Sequence, residues 1–268
     1  MAVLRVAIAG LGAIGRTLAH KLNDGIPGLE LTCVAAGNRA KAEAWLKAAN
    51  IACPVVGFDD FPKYADLAVE CAPAAVLDQI CRPMLTAGKS VMVLSVGALL
   101  PRPELTELAR AKGGRIIVPT GALIGLDAVA AAAEGKIDSV RMTTRKPPAG
   151  LKGAPYLERH GISVEGLTEA KRVFSGTARE AAEGFPANLN VVAALSLAGI
   201  GPDRTMIDIW ADPAVTRNCH NIDVVADSAS FSMSIENIPS ENPKTGRIVA
   251  LSVLATLRKM NAPLRVGT

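Results

Sequence analysis

The stretch LRVAIAGLGAIGRTLAHKL, residues 4–22, constrains this chain more than any other: an apolar run, three glycines at GxGxxG spacing, then apolar residues at helical intervals. Gly10, Gly12 and Gly15 hold the three positions. Where a strand turns into a helix against a pyrophosphate, the first glycine allows the tight turn and the second lets the backbone approach the phosphates. The third lets helix and strand pack closely. The helix that opens at Ala13 and Ile14 offers free N–H groups and positive potential to an anion. Ile14, Leu18 and Leu22 then fall on one stripe, as a helix covering a sheet requires. His20 lies about 200° from Leu18 and is expected in solvent.

The following segments repeat the pattern. LTCVAAG (31–37), ADLAVECA (65–72), SVMVLSVG (90–97) and GRIIVPTG (114–121) join LRVAIAG (4–10) as buried strands, with helix-sized segments between them. Such alternation makes an α/β fold, a Rossmann-type doubly wound parallel sheet whose ligand crevice lies beyond the carboxyl ends of its strands. After Gly125 the strands lengthen and alternate. In FSMSIEN (231–237) Phe231, Met233 and Ile235 face one way and Ser232, Ser234 and Glu236 the other, which predicts a sheet with one wet face. Between the strands DSVRMTTRK (138–146) and RTMIDIWAD (204–212), residues 166–200 read as helix, short strand, helix and a further helix after Pro186. The expected organisation is a dinucleotide-binding domain over 1–121, a second α/β domain with a mixed sheet over 122–245, and a C-terminal helix within 246–268 packing back on the first.

Composition excludes several partners. The net charge of +4 is spread without a basic run, so no nucleic-acid backbone is expected as a ligand. Five cysteines (Cys33, Cys53, Cys71, Cys81 and Cys219) form an odd set with no CxxC, which indicates neither a disulfide framework nor a metal site and fits a reducing, cytoplasmic setting. No apolar run approaches the roughly 18 residues needed to span a membrane. The apolar N-terminus is broken by glycines and runs straight into the nucleotide motif, unlike a signal peptide.

Sheets that bind NAD place an Asp or Glu at the end of the second strand for the adenine ribose. Here that strand ends in AAGNRAK. With no carboxylate at Ala36 or Gly37, and with Asn38, Arg39 and Lys41 beyond, the cofactor is NAD or NADP, with NADP at least tolerated. The plainer alternative makes Arg39 and Lys41 ordinary exposed charges. Cys71 and Ala72 close ADLAVECA, and Ser95, Gly97 and Ala98 close SVMVLSVG, so both groups should border the nicotinamide half of the crevice. Cys71 is read as a small buried hydrophobe without chemistry.

GLGAIG, VECA, VLSVGAL, PTGALIGLDA, RKPP, FSGTAREAAEGFPANLNVVAALSLAGIG, ADP, NCHN and ENPKTG together resemble the L-aspartate dehydrogenase family, over nearly the whole chain. The resemblance implies a Rossmann domain, an α/β substrate and dimerisation domain, and a homodimer. It also implies oxidation of L-aspartate to iminoaspartate with NAD or NADP, the imine feeding NAD biosynthesis or hydrolysing to oxaloacetate and ammonia. The family's active-site histidine falls on His220, and its NAD-contacting alanine and asparagine on Ala122 and Asn190. Two departures are visible: Cys219 stands where an apolar residue is usual, and the acidic residue after the second strand is missing.

The residues themselves point the same way. Taking hydride from the α-carbon of an amine needs the nicotinamide held against that carbon, an unprotonated amine and neutralised carboxylates. Histidine titrates near neutrality and suits the amine. His220 precedes the strand NIDVVAD, shares parity with Ile222 and Val224, and has Asn221 and Asp223 nearby to orient it; the alternative is a buried histidine satisfied by one hydrogen bond. His160, in ERHGIS, reads as surface. For the carboxylates, Lys244 and Thr245 in the turn ENPKTG come first, with Arg145 and Lys146 as runners-up. Asn190, near a helix start, suits the nicotinamide ribose or carboxamide, Asn188 being better placed as the cap. Rival readings are a two-domain reductase of the dihydrodipicolinate-reductase or homoserine-dehydrogenase type, and a non-catalytic NADP-binding redox sensor with no use for His220.

Overall fold

The computed structural model describes residues 3–186, 189–239 and 246–267. The chain divides into two units, one formed by residues up to Pro119 with Ala250–Arg265, the other by Thr120–Val249 with the last few residues.

In the first unit the chain runs β1 (Leu4–Ala9), α1 (Ala13–Asn23), β2 (Leu29–Ala35), α2 (Arg39–Ala48), α3 (Phe61–Tyr64), β3 (Leu67–Glu70), α4 (Leu77–Thr86), β4 (Ser90–Val93), α5 (Pro103–Lys112) and β5 (Arg115–Ile117). The five strands form a parallel sheet in the order β2-β1-β3-β4-β5. Period-two alternation divides their side chains between two cores. Val6, Ile8, Leu67 and Val69 pack with Leu18 and Leu22 of α1 and Leu46 of α2, whereas Ala7, Ala9, Ala68 and Val93 pack with Ile80 and Met84 of α4 and Leu105 of α5. Both faces are covered, so the strands need no polar side. The chain leaves β1 towards β2 and returns to β3 on the other side of β1, which makes the ends of β1 and β3 the switch point where ligands bind.

The second unit contains α6 (Leu126–Ala133), β6 (Ile137–Lys146), α7 (Pro155–Arg159), β7 (Lys171–Thr177), α8 (Ala178–Gly184), α9 (Asn190–Ala198), β8 (Thr205–Ala211), β9 (Asn218–Ala226) and β10 (Ser230–Asn237). Its sheet is mixed, in the order β10-β9-β6-β8-β7, with only β6 and β8 parallel. One face, carrying Val140, Met142, Ile207, Ile209, Ile222 and Val224, is buried. α10 (Ile248–Asn261) follows and places Val253, Leu254 and Leu257 in the core beside β1 and α1, while the Asn261 amide donates to the Gly28 carbonyl.

Three local expectations fail. The helix expected at the start of 166–200 does not form: residues 161–170 hold no regular element, with Gly166 left-handed at φ +67°, and the first regular element is β7. The strands of the first sheet stop earlier than their apolar runs, as where residues 96–98 curl into a single 3-10 turn. His220 lies inside β9 instead of before it.

Candidate active site

The glycine turn separates into parts that serve the fold and a part that does not. Gly10 has φ +100°, and a Cβ there would meet the Cys71 carbonyl oxygen at 2.6 Å; one on Gly15 would collide with the Gly10 carbonyl. A Cβ on Gly12 would meet nothing within 4 Å. Gly12 is the N-cap of α1, with no side-chain cap and no acid in the first turn, so the N–H groups at Ala13, Ile14 and Gly15 stand ready for an anion. Arg16 steadies the turn: its Nε donates to the Leu11 carbonyl at 3.0 Å and its guanidinium lies 5.2 Å from the Trp45 ring centre. This cradle fits a pyrophosphate.

At the end of β2, Asn38 caps α2, its side-chain oxygen accepting from Lys41 N at 2.9 Å. The exposed Arg39 donates to Glu43 at 2.8 Å. A 2′-phosphate would therefore compete with Glu43 for Arg39. The i,i+4 spacing of this pair on α2 is itself a sequence signal.

On the other side of β1, at the carboxyl end of β3, Cys71 N donates to the Ala9 carbonyl at 2.8 Å, placing Cys71 and Ala72 beside Gly10. Burial, and then the neighbouring Glu70, push the Cys71 thiol far above its ordinary range. Glu70 was missed by sequence reasoning. Its side chain is wholly buried and accepts from Leu94 N at 3.1 Å, Ser95 N at 2.8 Å and Ser95 Oγ at 3.0 Å. Arg102 closes the same turn by donating to the Ala98 carbonyl at 2.6 Å; Gly97 lies within it.

In the second unit β9 presents His220 to the buried face, where it is 2% exposed. Opposite it on β6 stands Thr144, whose Oγ1 is 3.1 Å from His220 Nδ1. One pleat further along β6 is Lys146, also buried on that face. Burial drives the His220 imidazole down to about 3, with the Lys146 charge adding to the effect, and burial drives Lys146 down to about 8. Alternation sends Arg145 to the other face, where it donates to Asp212 at 3.0 Å and lies 4.9 Å from the Trp210 ring centre. Asn221 and Asp223 are on that face too, bonded to each other, with Ser232 donating to Asp223. They do not orient His220; Thr144 does. Cys219 shares their face and contacts the Arg217 carbonyl.

The Ala122 carbonyl accepts from Asn237 Nδ2 at 3.0 Å, and the buried Asn237 Oδ1 has no hydrogen-bond partner among the described residues. Asn190 is the exposed first residue of α9, whose N-cap, Leu189, makes no side-chain capping bond. Asn188, Lys244 and Thr245 lie outside the described residues. His20 and His160 are exposed, His20 edge-on to Trp45 and His160 stacked on Tyr156. No helix among the described residues is long and apolar enough to cross a membrane.

A phosphate-binding glycine turn in one unit, with a buried imidazole and amine on one sheet face of the other, defines a pyridine-nucleotide oxidoreductase. Residues 127–260 match the family model described as aspartate dehydrogenase, C-terminal, and residues 10–119 the one described as homoserine dehydrogenase, NAD binding domain. The chain is 58% identical to L-aspartate dehydrogenase 3 of Bordetella bronchiseptica, covering 99% of this chain and 98% of that one. It is 60% identical to L-aspartate dehydrogenase of Bradyrhizobium diazoefficiens, covering 99% and 94%. Aspartate dehydrogenase from Thermotoga maritima has a similar fold, with TM-score 0.76 at 24% identity over 98% of this chain and 99% of that one. The chain belongs to the aspartate dehydrogenase family.

Proposed function

We propose that this chain oxidises L-aspartate at its α-carbon with NAD or NADP, or runs the reverse reductive amination of oxaloacetate. The observation that carries the reading is the buried His220, held by Thr144 and flanked by Lys146, in a chain 58–60% identical end to end to relatives named L-aspartate dehydrogenase. The nicotinamide, when bound, supplies the hydride acceptor.

The residues do the rest. Lys146, titrating near 8, carries its charge at neutral pH and meets a substrate carboxylate. Lys244 and Thr245 are proposed for the second carboxylate, on the strength of the ENPKTG turn alone. His220 is neutral in the free protein. In the tautomer that donates Nδ1–H to Thr144, Nε2 is left as the acceptor for a proton from the substrate ammonium. A dianionic substrate raises the proton affinity of both groups, so His220 becomes a competent base when it is needed. The neutral amine then loses hydride to become the iminium form of iminoaspartate, and water converts that to oxaloacetate and ammonia. On the cofactor side, the α1 N-terminus and Gly12 take the pyrophosphate, Asn38 and Arg39 the adenosine end, and Cys71, Ala72, Ser95, Gly97 and Ala98 border the nicotinamide. Ala122 and Asn190 are assigned cofactor contacts on the family resemblance.

We also propose a homodimer, supported by the second sheet's open face, where Met206, Trp210 and Cys219 are partly exposed. Sedimentation equilibrium at twice the chain mass is the expected result. The activity is tested by following nicotinamide absorbance with oxaloacetate, ammonium and NADH or NADPH, and in reverse with L-aspartate. Consumption that requires oxaloacetate and ammonium together is expected. Binding of both cofactors without turnover would leave the redox-sensor reading in its place.

A further inference from the structure

Glu70 is a buried carboxylate to which the chemistry above gives no task. It ends β3 on the same side of the sheet as Ala68, facing α4, and no part of it reaches solvent. Burial lifts its proton affinity to about 7 although every hydrogen bond to it opposes that shift. The donors around it are the backbone N–H of Leu94 and Ser95, the Ser95 hydroxyl and the backbone at Ala72. The nearby thiols of Cys71 and Cys81 are pushed upward first by burial and then by its charge. A glutamate this deep in an apolar core is costly unless hydrogen bonds satisfy it, and buried groups with shifted proton affinity cluster at functional sites.

Those groups belong to two separate loops. Ala72 follows β3 and Leu94–Ser95 follow β4, adjacent strands whose carboxyl ends lie on the far side of the switch point from β2. In sheets of this kind the adenosine end of the dinucleotide lies at β2, and the nicotinamide lies past the ends of the strands beyond the switch point. The 94–98 turn is closed within itself by Ala98 N donating to the Ser95 carbonyl and by Arg102 donating to the Ala98 carbonyl, and Glu70 ties that turn to the loop after β3.

We infer that Glu70 is the positioning residue for the nicotinamide half of the cofactor site, its carboxylate fastening the β3 and β4 loops together so that their backbone meets the ring at a fixed height. This rests on the reading that the first unit binds a dinucleotide. The site recognises the adenosine diphosphate portion through the glycine turn and α1, which Glu70 does not touch. Its loss therefore falls on the nicotinamide end alone.

The experiment uses the full chain well above pH 7, where Glu70 is ionised, and measures binding by NADH fluorescence and by calorimetry, with NADH and with ADP-ribose, for the unaltered protein, Glu70→Gln and Ser95→Ala. Glutamine keeps the shape but offers one acceptor oxygen where the carboxylate offered two, and its amide faces N–H donors. Glu70→Gln is expected to weaken NADH about tenfold or more, as loss of charge-assisted bonds implies, while ADP-ribose changes less than about twofold. Ser95→Ala, which leaves the backbone donors intact, is expected to show the same selectivity at about threefold. Equal weakening of both ligands, or of neither, in both variants overturns the assignment. If the unaltered protein binds neither ligand, the dinucleotide reading itself has failed, which is a separate outcome.

Discussion

A histidine and a lysine buried on one sheet face cannot both carry charge cheaply, and here the imidazole yields. Between pH 6.5 and about 3 the unfolded chain takes a proton on His220 that the folded chain refuses. Stability contributed there is complete above 6.5 and is lost as pH falls. Glu70 works in the opposite sense, since between 4.5 and about 7 the folded chain holds its proton and the unfolded chain does not. Comparing the unaltered protein with His220→Asn isolates the first effect: the loss of unfolding free energy between pH 7 and 4.5 should shrink by about 2 kcal/mol in the variant. The same variant should lose roughly a hundredfold in turnover while NADH binding is unchanged. An unaltered rate would return His220 to packing. Lys146→Met should raise KM for aspartate about tenfold or more and move kcat far less, because it removes a charge that meets the ground state and transition state alike.

At the scale of elements, the glycine turn was legible because each position excludes side chains for a different physical reason, and only one of those reasons involves a ligand. Gly12→Ala should therefore fold with unchanged stability and bind NADH at least tenfold more weakly, whereas Gly15→Ala should unfold at lower temperature before binding is even considered. Thermal melts with and without NADH separate the two, and equal destabilisation by both would refute the division. The parity of His220 with Ile222 and Val224 was equally legible, being a local property of one strand. Its partner was not: Thr144 is 76 residues away, brought opposite by the register of β6 on β9, which no local pattern encodes. Asn221 and Asp223 were the nearer candidates in sequence, and the pleat puts them on the wrong face. Glu70 stayed hidden for the same reason, its donors lying 24 and 25 residues further on, across a strand pairing. The unformed helix at 166–170 marks a further limit, for a polar segment with a left-handed glycine has no apolar stripe to dock.

At the scale of the whole molecule, the dinucleotide unit is discontinuous: the chain leaves it after Pro119 and re-enters at Ala250. The returning helix covers part of one face of the parallel sheet, Val253 and Leu257 being fully buried among residues of β1, α1 and β2. A chain ending at residue 249 keeps every glycine of the turn but leaves that apolar patch bare, so its binding loss would come through folding and not through chemistry. Leu257→Ala is the milder form of the same cut. A buried leucine removed to alanine costs about 2–5 kcal/mol, with no ligand-facing atom disturbed. Its melting temperature should fall by several degrees, while NADH and ADP-ribose affinities measured well below the transition stay within about twofold of the unaltered protein. That outcome is the reverse of the one expected for Glu70→Gln, in which binding of one ligand falls. A selective loss of NADH in Leu257→Ala would mean that packing on this face reaches the nicotinamide loops, and the division of labour argued for Glu70 would have to be redrawn.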